Sequence, residues 1–339
     1  MQALIVEAAN AVALWNGSVP DPNPGWARVR VRAAGICATD LAVVQGEFSS
    51  AFPMTPGHEW AGVVEAVGDP ADARWVGQRV AGENDVGCLH CSACRTGQWR
   101  FCADYQQIGF GTYAGSYADY LVVPVYGLHA LPDPVSFEQG ALLEPLAVGM
   151  AVLRRAHLHV GDTLTIIGDG PVGLNTLIVA RAAGARRVIV VGEQEARLAC
   201  AEKLGALACD HRQGAIPTAV FRHHGRSQIV VEATGTAIGV QMALSVVAPE
   251  GRVVLAGYAH GRPVTIPADA VHLPNVQIVG AGNNPGWMGR TLACVADGVL
   301  ASTQLVSHRY RLDQYAEALE QMRSRGNGLI KSLFTWEDF

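Results

Sequence analysis

The sequence predicts an α/β protein with two parts, a β-rich segment and a doubly wound parallel sheet. In residues 1–135, short β-forming runs such as Trp60–Val67 (WAGVVEAV) are separated by turns rich in Gly and Pro. From Thr163, short apolar strands alternate with helices, which is the order of a parallel sheet covered on both faces. A glycine-rich motif lies at the first strand-to-helix turn of this second part. These observations predict two kinds of domain in one chain.

In the first part, further strands are expected at Ala27–Val31 and Tyr117–Val123. Ser136 and Gln139 form a capping-box pattern, and the apolar residues that follow predict one long helix through Arg155.

In the second part, strands alternating with helices are expected. The strands are Thr163–Ile167, Val188–Val191, Ala206–Cys209, Ile229–Ala233, Arg252–Ala256 and Val276–Val279, and the helices between them include Pro171–Ala183, Gln194–Leu204 and Thr236–Val247. After Gly282 the alternation stops. A final helix at Asp313–Ser324 and a returning strand at Leu329–Thr335 are expected to end the fold.

Composition limits the possible functions. The chain has 339 residues, enough for two domains, and half of it is hydrophobic, enough for a large core. Its net charge of −5, with no basic block, argues against nucleic acid and anionic membranes as partners. The N-terminus lacks the basic flank of a signal peptide, and no apolar run approaches the roughly 20 residues that cross a bilayer. We therefore expect a cytoplasmic protein acting on a small molecule.

Four cysteines in the run GCLHCSACRTGQWRFC have the spacing of a metal site. They are Cys88, Cys91, Cys94 and Cys102. Gaps of two, two and seven residues allow four thiolates to surround one tetrahedral zinc ion. Because four thiolates fill every position, the sequence predicts a structural zinc without catalytic function. Such cysteines also favour a reducing compartment.

A dinucleotide-binding motif follows the first strand of the second part. Gly168, Gly170 and Gly173 stand in the G-x-G-x-x-G pattern, with Pro171 and Val172 at the helix start. The glycines allow a tight turn and let backbone amides approach a pyrophosphate. The strand before the motif and the helix after it are the context that supports nucleotide binding.

The choice between NAD and NADP depends on the end of the next strand. The acidic residue that would accept the ribose hydroxyls is expected 19 residues after Gly173, where Gly192 stands. Gly192 would admit a 2′-phosphate, Glu193 restores a carboxylate nearby, and Arg197 could serve either cofactor. We favour NAD and leave NADP open. Asp169, inside the glycine loop, is assigned only a turn-stabilising bond.

A second metal site is indicated by residues far apart in the chain. Cys37, His58, Glu59 and Glu144 supply one thiolate, one imidazole and two carboxylates, a mixed set that can hold zinc with an exchangeable position. Glu144 lies in the apolar run ALLEPLAVGMAVL, where a carboxylate is costly to bury unless it is paired or bound to metal.

With these motifs in the same order along nearly the whole chain, the sequence resembles the zinc-dependent medium-chain dehydrogenase/reductases. Cys37 with Thr39 is similar to the first ligand and its hydroxyl neighbour, and Gly57-His58-Glu59 to the GHE motif. The run Leu143–Gly149 (LEPLAVG) resembles the sorbitol (polyol) dehydrogenase branch. The resemblance implies a GroES-like catalytic domain, residues 1–150 completed by 285–339, and a Rossmann domain at 151–284. It also implies a homo-oligomer, either dimer or tetramer.

The resemblance further implies hydride transfer between a polar secondary alcohol and NAD(P), with two zinc ions per chain. Cys37, His58 and Glu59 would bind the catalytic zinc, and Glu144 would bind it directly or through water. Thr39 would pass the hydroxylic proton toward solvent. Thr234 and Asn283, which follow strands of the sheet, are assigned to the cofactor.

One position departs from the family pattern. Many members have a His five residues after the ligand Cys as the end of a proton relay, and here that residue is Ala42. We therefore expect Thr39 and ordered water to carry the proton. Two other functions stay open: a threonine-type amino-alcohol dehydrogenase, and a non-catalytic NAD(P)-binding protein, which the four retained ligands oppose.

Overall fold

The computed structural model describes residues 1–48, 51–213, 225–282, 286–324 and 328–336. The chain divides into two compact units. One comprises Met1–Glu144 with Pro285–Phe339, and the other Pro145–Asn284. The helices in the described ranges include none that is both long and apolar enough for a membrane span.

The strands and helices are numbered in chain order. The strands are β1 (Gln2–Ala8), β2 (Ala11–Asn16), β3 (Trp26–Ile36), β4 (Glu59–Val67), β5 (Arg79–Gly82), β6 (Asp85–Val86), β7 (Gln106–Gln107), β8 (Tyr120–Pro124), β9 (Leu128–Ala130), β10 (Thr163–Ile167), β11 (Arg187–Gly192), β12 (Leu207–Asp210), β13 (Ser227–Glu232), β14 (Val247–Leu255), β15 (Gln277–Gly280), β16 (Val306–Tyr310) and β17 (Lys331–Thr335). The helices are α1 (Ala38–Gln45), α2 (Ser92–Arg95), α3 (Phe137–Ala141), α4 (Leu143–Ala156), α5 (Pro171–Ala182), α6 (Glu195–Lys203), α7 (Ala237–Val246), α8 (Asp269–His272), α9 (Met288–Ala296) and α10 (Tyr315–Ser324).

The unit Pro145–Asn284 is built on a parallel sheet, as the sequence predicts. Its strand order is β12-β11-β10-β13-β14-β15, and every neighbouring pair is parallel. The central strand β10 is buried along its whole length, which explains its continuous apolar run. Because the strand order reverses between β10 and β13, the carboxyl ends of these two strands form the crevice where such sheets bind nucleotides.

The other unit is organised around a largely antiparallel sheet. Its order is β16-β17-β3-β4-β5-β9, with β8 also paired to β3. The core of this unit includes Trp60, Tyr117 and Phe334, each fully buried. The C-terminal strand β17 pairs with β3, so that Ser332 lies opposite Ile36. Strand β17 therefore lies beside the strand that leads to Cys37.

The single helix predicted from Ser136 through Arg155 is wrong. The capping box of Ser136 and Gln139 starts α3 as expected, but α3 ends at Ala141 and α4 begins at Leu143. Pro145 explains the break. A proline has no backbone N–H to donate the hydrogen bond that a continuous helix would need there, but it fits the first turn of a new helix. As a result, Glu144 lies in the first turn of α4.

Candidate active site

Cys37 and Asp40 are joined at the start of α1. Cys37 is the N-cap residue, and its backbone N–H donates to Asp40 Oδ2 at 2.9 Å. The same oxygen accepts the Tyr117 hydroxyl at 2.6 Å, and Asp40 is fully buried. Asp40 therefore anchors the loop that presents the Cys37 thiol.

His58 is held by the other oxygen of Asp40. Asp40 Oδ1 accepts the Gly57 backbone N–H at 3.2 Å and lies 3.2 Å from His58 Nδ1. A proton on Nδ1 leaves Nε2 as an acceptor, the form in which imidazole binds a metal. Burial alone would lower the pKa of His58, but the charge and hydrogen bond of Asp40 raise it well above its usual value. Burial would likewise raise the pKa of Asp40, but His58 and its hydrogen bonds lower it.

Glu59 is the first residue of β4 and is 1% exposed. Its Oε1 accepts the Lys331 ammonium at 2.6 Å, and Lys331 Nζ also donates to the Ile36 carbonyl at 3.0 Å. Gly35 makes room for this carboxylate, since a Cβ there would lie 1.9 Å from Glu59 Oε2. That Oε2 is buried and has no hydrogen-bond partner among the described residues.

The geometry fits a zinc site. One donor atom each from Cys37, His58 and Glu59 lies within 4.8 Å of the others. Sulfur, imidazole nitrogen and carboxylate oxygen are the donors that zinc prefers in catalytic sites, and the unpartnered Glu59 Oε2 is a buried acceptor that a cation would satisfy. Three residues chosen from the sequence are thus brought together.

Glu144 is a neighbour of this three-residue group but is not one of its members among the described residues. It is 9% exposed, and burial raises its pKa to about 7, with Glu59 acting in the same direction and His58 and Lys331 opposing. Its role as a ligand remains a prediction.

The surroundings of His58 and Cys37 include both a hydroxyl and aromatic rings. Thr39 Oγ1 lies 3.6 Å from Cys37 Sγ. The Phe110 ring contacts the His58 ring in a tilted arrangement, with ring centroids 4.8 Å apart, and the Phe48 ring lies 5.3 Å from that of Phe110. An apolar wall beside the imidazole keeps water off one side of the site.

The four-cysteine cluster is formed in the same unit. The sulfur atoms of Cys88, Cys91, Cys94 and Cys102 all lie within 4.8 Å of one another. Cys88 Sγ and Cys94 Sγ are 3.9 Å apart, near the ~3.8 Å that tetrahedral Zn–S bonds of about 2.3 Å require. Backbone donors, first that of Cys91, lower the pKa of Cys88 to about 6, whereas burial raises that of Cys94 to about 12. The cluster fits a closed structural zinc site.

The glycine loop fits a pyrophosphate. Gly168 has a positive φ of 117°, and a Cβ on Gly173 would lie 2.1 Å from the Gly168 carbonyl, so both positions require glycine. Gly170 is the N-cap of α5 without a side-chain cap, and a Cβ there would meet open space. Pro171 and Val172 open the helix. Gly170 therefore has no side chain that could cap the first backbone amides of α5, and these amides can donate hydrogen bonds to an anion.

Three of the remaining cofactor candidates, Gly192, Glu193 and Thr234, lie at strand ends of the same sheet. Gly192 ends β11, Arg197 lies in α6, and Glu193 Oε2 is 3.5 Å from His211 Nε2. Thr234 follows β13, and its hydroxyl donates to buried Glu232. Asn283 lies outside the described residues.

Sequence reasoning missed Asp40 and Lys331. Asp40 had a local signal, because Cys37 and Asp40 have the spacing of an N-cap and the side chain that reaches back to it. Lys331 lies 272 residues from Glu59 and has no such signal.

Comparison with known proteins identifies the family. Residues 23–133 match the alcohol dehydrogenase GroES-like domain, and residues 171–286 match the zinc-binding dehydrogenase domain. A sorbitol dehydrogenase of Arabidopsis thaliana is 31% identical over 93% of this chain and 90% of its own, and an L-threonine 3-dehydrogenase of Deinococcus radiodurans is 29% identical over 94% and 93%.

A solved structure agrees with the two domain matches. It is a zinc-binding dehydrogenase of Sinorhizobium meliloti bound to NADP, which is 29% identical, covers 99% of each chain and superposes with a TM-score of 0.91. The GroES-like and Rossmann fold class predicted from the sequence is confirmed. The chain belongs to the zinc-dependent medium-chain alcohol dehydrogenase family, with the polyol dehydrogenase branch among its relatives.

Proposed function

We propose that this enzyme oxidises a polyol, cyclitol or related polar secondary alcohol to the ketone, or catalyses the reverse, with NAD as the preferred hydride carrier. The observation that carries the proposal is that one donor atom each from Cys37, His58 and Glu59 lies within 4.8 Å of the others, with Glu59 Oε2 buried and without a hydrogen-bond partner among the described residues. These three residues would hold the catalytic zinc, with Glu144 beside them. Cys88, Cys91, Cys94 and Cys102 would hold the second zinc.

The zinc supplies Lewis acidity that lowers the pKa of an alcohol oxygen when it is bound. The protein's own residues prepare for that chemistry. Asp40 fixes the Nδ1 proton of His58, and the Lys331 ammonium offsets the charge of Glu59. Thr39 Oγ1 takes the substrate's hydroxyl proton and hands it to water, since Ala42 offers no titratable group.

A threonine-type amino-alcohol dehydrogenase is the second candidate, because a relative with that activity is almost as similar as the sorbitol enzyme. The two substrates differ in charge, since an amino acid brings an ammonium and a carboxylate where a polyol brings only hydroxyls. We also place the enzyme in the cytoplasm, as a dimer or tetramer, on the thiol-based metal cluster and the family resemblance.

A substrate panel tests the proposal. Initial rates would be measured for sorbitol and other polyols, a cyclitol and L-threonine, each with NAD and with NADP, on protein with its zinc content assayed. We expect the highest kcat/KM for a polyol or cyclitol. Faster oxidation of L-threonine would transfer the assignment to the second candidate. With zinc fully loaded, failure to oxidise any alcohol or to reduce any matching ketone would overturn the function.

Replacing Thr39 by Val should lower kcat by about 10²-fold, because the variant keeps the side-chain volume but loses the hydroxyl that moves the proton. The zinc content should be unchanged. Thr39→Ser is the matched control, and it should keep most of the activity since its hydroxyl remains. Steady-state kinetics on both variants checks the prediction, and full turnover by Thr39→Val would show that the proton leaves by another path.

A further inference from the structure

The carboxylate of Asp169 lies at the end of β11, in the space that a side chain on Gly192 would occupy. A Cβ built on Gly192 would be 2.3 Å from Asp169 Oδ2 and 2.5 Å from Asp169 Cγ. We propose that Asp169, from the glycine loop, replaces the strand-end acidic residue that accepts the adenosine ribose hydroxyls, and thereby selects NAD over NADP. The inference rests on the proposed function in that it takes the ligand to be a nicotinamide dinucleotide.

The position of the Asp169 carboxylate is fixed by the backbone. Asp169 Oδ2 accepts the Glu193 N–H at 2.9 Å and the Gln194 N–H at 2.8 Å. These amides lie between β11 and α6, where a strand-end acidic residue would hold its carboxylate. The second oxygen, Oδ1, takes part in no hydrogen bond recorded within the described ranges, so it is available to two ribose hydroxyls.

Burial makes this carboxylate a strong discriminator. Asp169 is 6% exposed, whereas the side chain of Glu193 is 36% exposed and lies 3.5 Å from His211. Solvent screens the charge of Glu193 more than that of Asp169. A 2′-phosphate, with a charge near −2, would therefore be repelled chiefly by Asp169.

The nearby guanidinium of Arg212 does not offset that repulsion. Arg212 donates to both carboxylate oxygens of Asp210, with its Nε at 2.9 Å from Oδ1 and a terminal nitrogen at 2.7 Å from Oδ2. An arginine that would hold a 2′-phosphate presents this same pair of donors. Arg212 therefore favours neither nucleotide, and the carboxylate of Asp169 remains the group at this strand end that disfavours a 2′-phosphate.

Nucleotide binding without substrate tests the inference. Dissociation constants for NADH and NADPH would be measured by nucleotide fluorescence on the zinc-loaded protein. In Asp169→Asn, which keeps an oxygen for the two amides, we expect the NADPH/NADH ratio of dissociation constants to fall by about 10–100-fold. The matched control is Glu195→Gln, which removes an exposed carboxylate from the start of α6 and should change the ratio less than about twofold.

A relocation of the carboxylate separates its charge from its role in the loop. Asp169→Gly should also lose the preference for NADH. The double variant Asp169→Gly/Gly192→Asp returns an acid to the strand end, where the space is then free, and should restore the preference. Circular dichroism checks whether Asp169→Gly is folded. If that variant is unfolded, the double variant decides: a double variant that folds but does not regain the preference for NADH would overturn the inference.

The outcomes distinguish this inference from the proposed function. An unchanged ratio in Asp169→Asn, or a shift found only in Glu193→Gln, would overturn the inference and leave the dehydrogenase function intact. Tight binding of NADH with the expected shift, but with no alcohol oxidised, would overturn the function and support the inference. Failure of the wild-type chain to bind either nucleotide would overturn both.

Discussion

Replacing His58 by Ala should abolish alcohol oxidation and reduce the zinc content from two ions per chain to one. His58 contributes the only nitrogen in the Cys37–His58–Glu59 group. Removing one of three proposed protein donors should cost more zinc-binding free energy than the loss of one ordinary hydrogen bond. It also leaves Asp40 Oδ1 without its imidazole partner. We expect kcat to fall by at least about 10³-fold, as measured by steady-state kinetics beside elemental analysis.

Two further variants give this experiment its controls. Cys94→Ser should remove the other zinc ion and lower the stability of the 88–102 segment, since Cys94 is one of four thiols that share a closed site. His308→Ala changes a half-buried imidazole on β16 that belongs to neither proposed zinc site, and it should keep two zinc ions and normal turnover. If His58→Ala kept two zinc ions, the catalytic site would have to be sought elsewhere.

The parallel sheet could be predicted because its signals are local. Each strand of the second part is a short apolar run, and the turn after β10 requires glycine at Gly168 and Gly173 for steric reasons visible in the motif itself. Most observed bounds in this unit differ from the predicted ones by a residue or two, as when Gln194–Leu204 becomes α6 at Glu195–Lys203. The exception is β14, which begins at Val247, five residues before the predicted start at Arg252. The break between α3 and α4 was the larger error, and Pro145 was the residue that signalled it.

The site was predictable only in part. Cys37, His58 and Glu59 were chosen by donor type and family resemblance, since no spacing rule joins residues 21 positions apart. Lys331 reaches Glu59 only because β17 pairs with β3, a register that periodicity cannot supply. Asp169 shows the same limit within a known motif. Its place in the sequence suggested a turn bond, while its carboxylate lies at the end of the neighbouring strand.

Replacing Lys331 by Met should destabilise its unit by about 3–5 kcal/mol, because it leaves the Glu59 carboxylate charged and buried without its partner. Lys331 is 2% exposed and Glu59 is 1% exposed, so water cannot replace the lost ammonium. The Ile36 carbonyl would also lose a donor. Urea denaturation followed by tryptophan fluorescence measures the free energy of unfolding of this unit, since all seven tryptophans lie in the unit that contains Lys331.

The size of this effect depends on burial rather than on the loss of a salt bridge as such. Arg323→Ala breaks an ion pair with Glu320 whose side chains are 46% and 63% exposed, and it should cost less than about 1 kcal/mol. The double variant Lys331→Met/Glu59→Gln removes the unpaired charge and should recover much of the stability lost in Lys331→Met, although it also changes a proposed zinc donor. If Lys331→Met were as mild as Arg323→Ala, Glu59 would have to find another partner for its charge. The zinc ion that Glu59 is proposed to bind would then be the first candidate, and the same titration repeated on metal-free protein would decide, because the cost should reappear when the ion is removed.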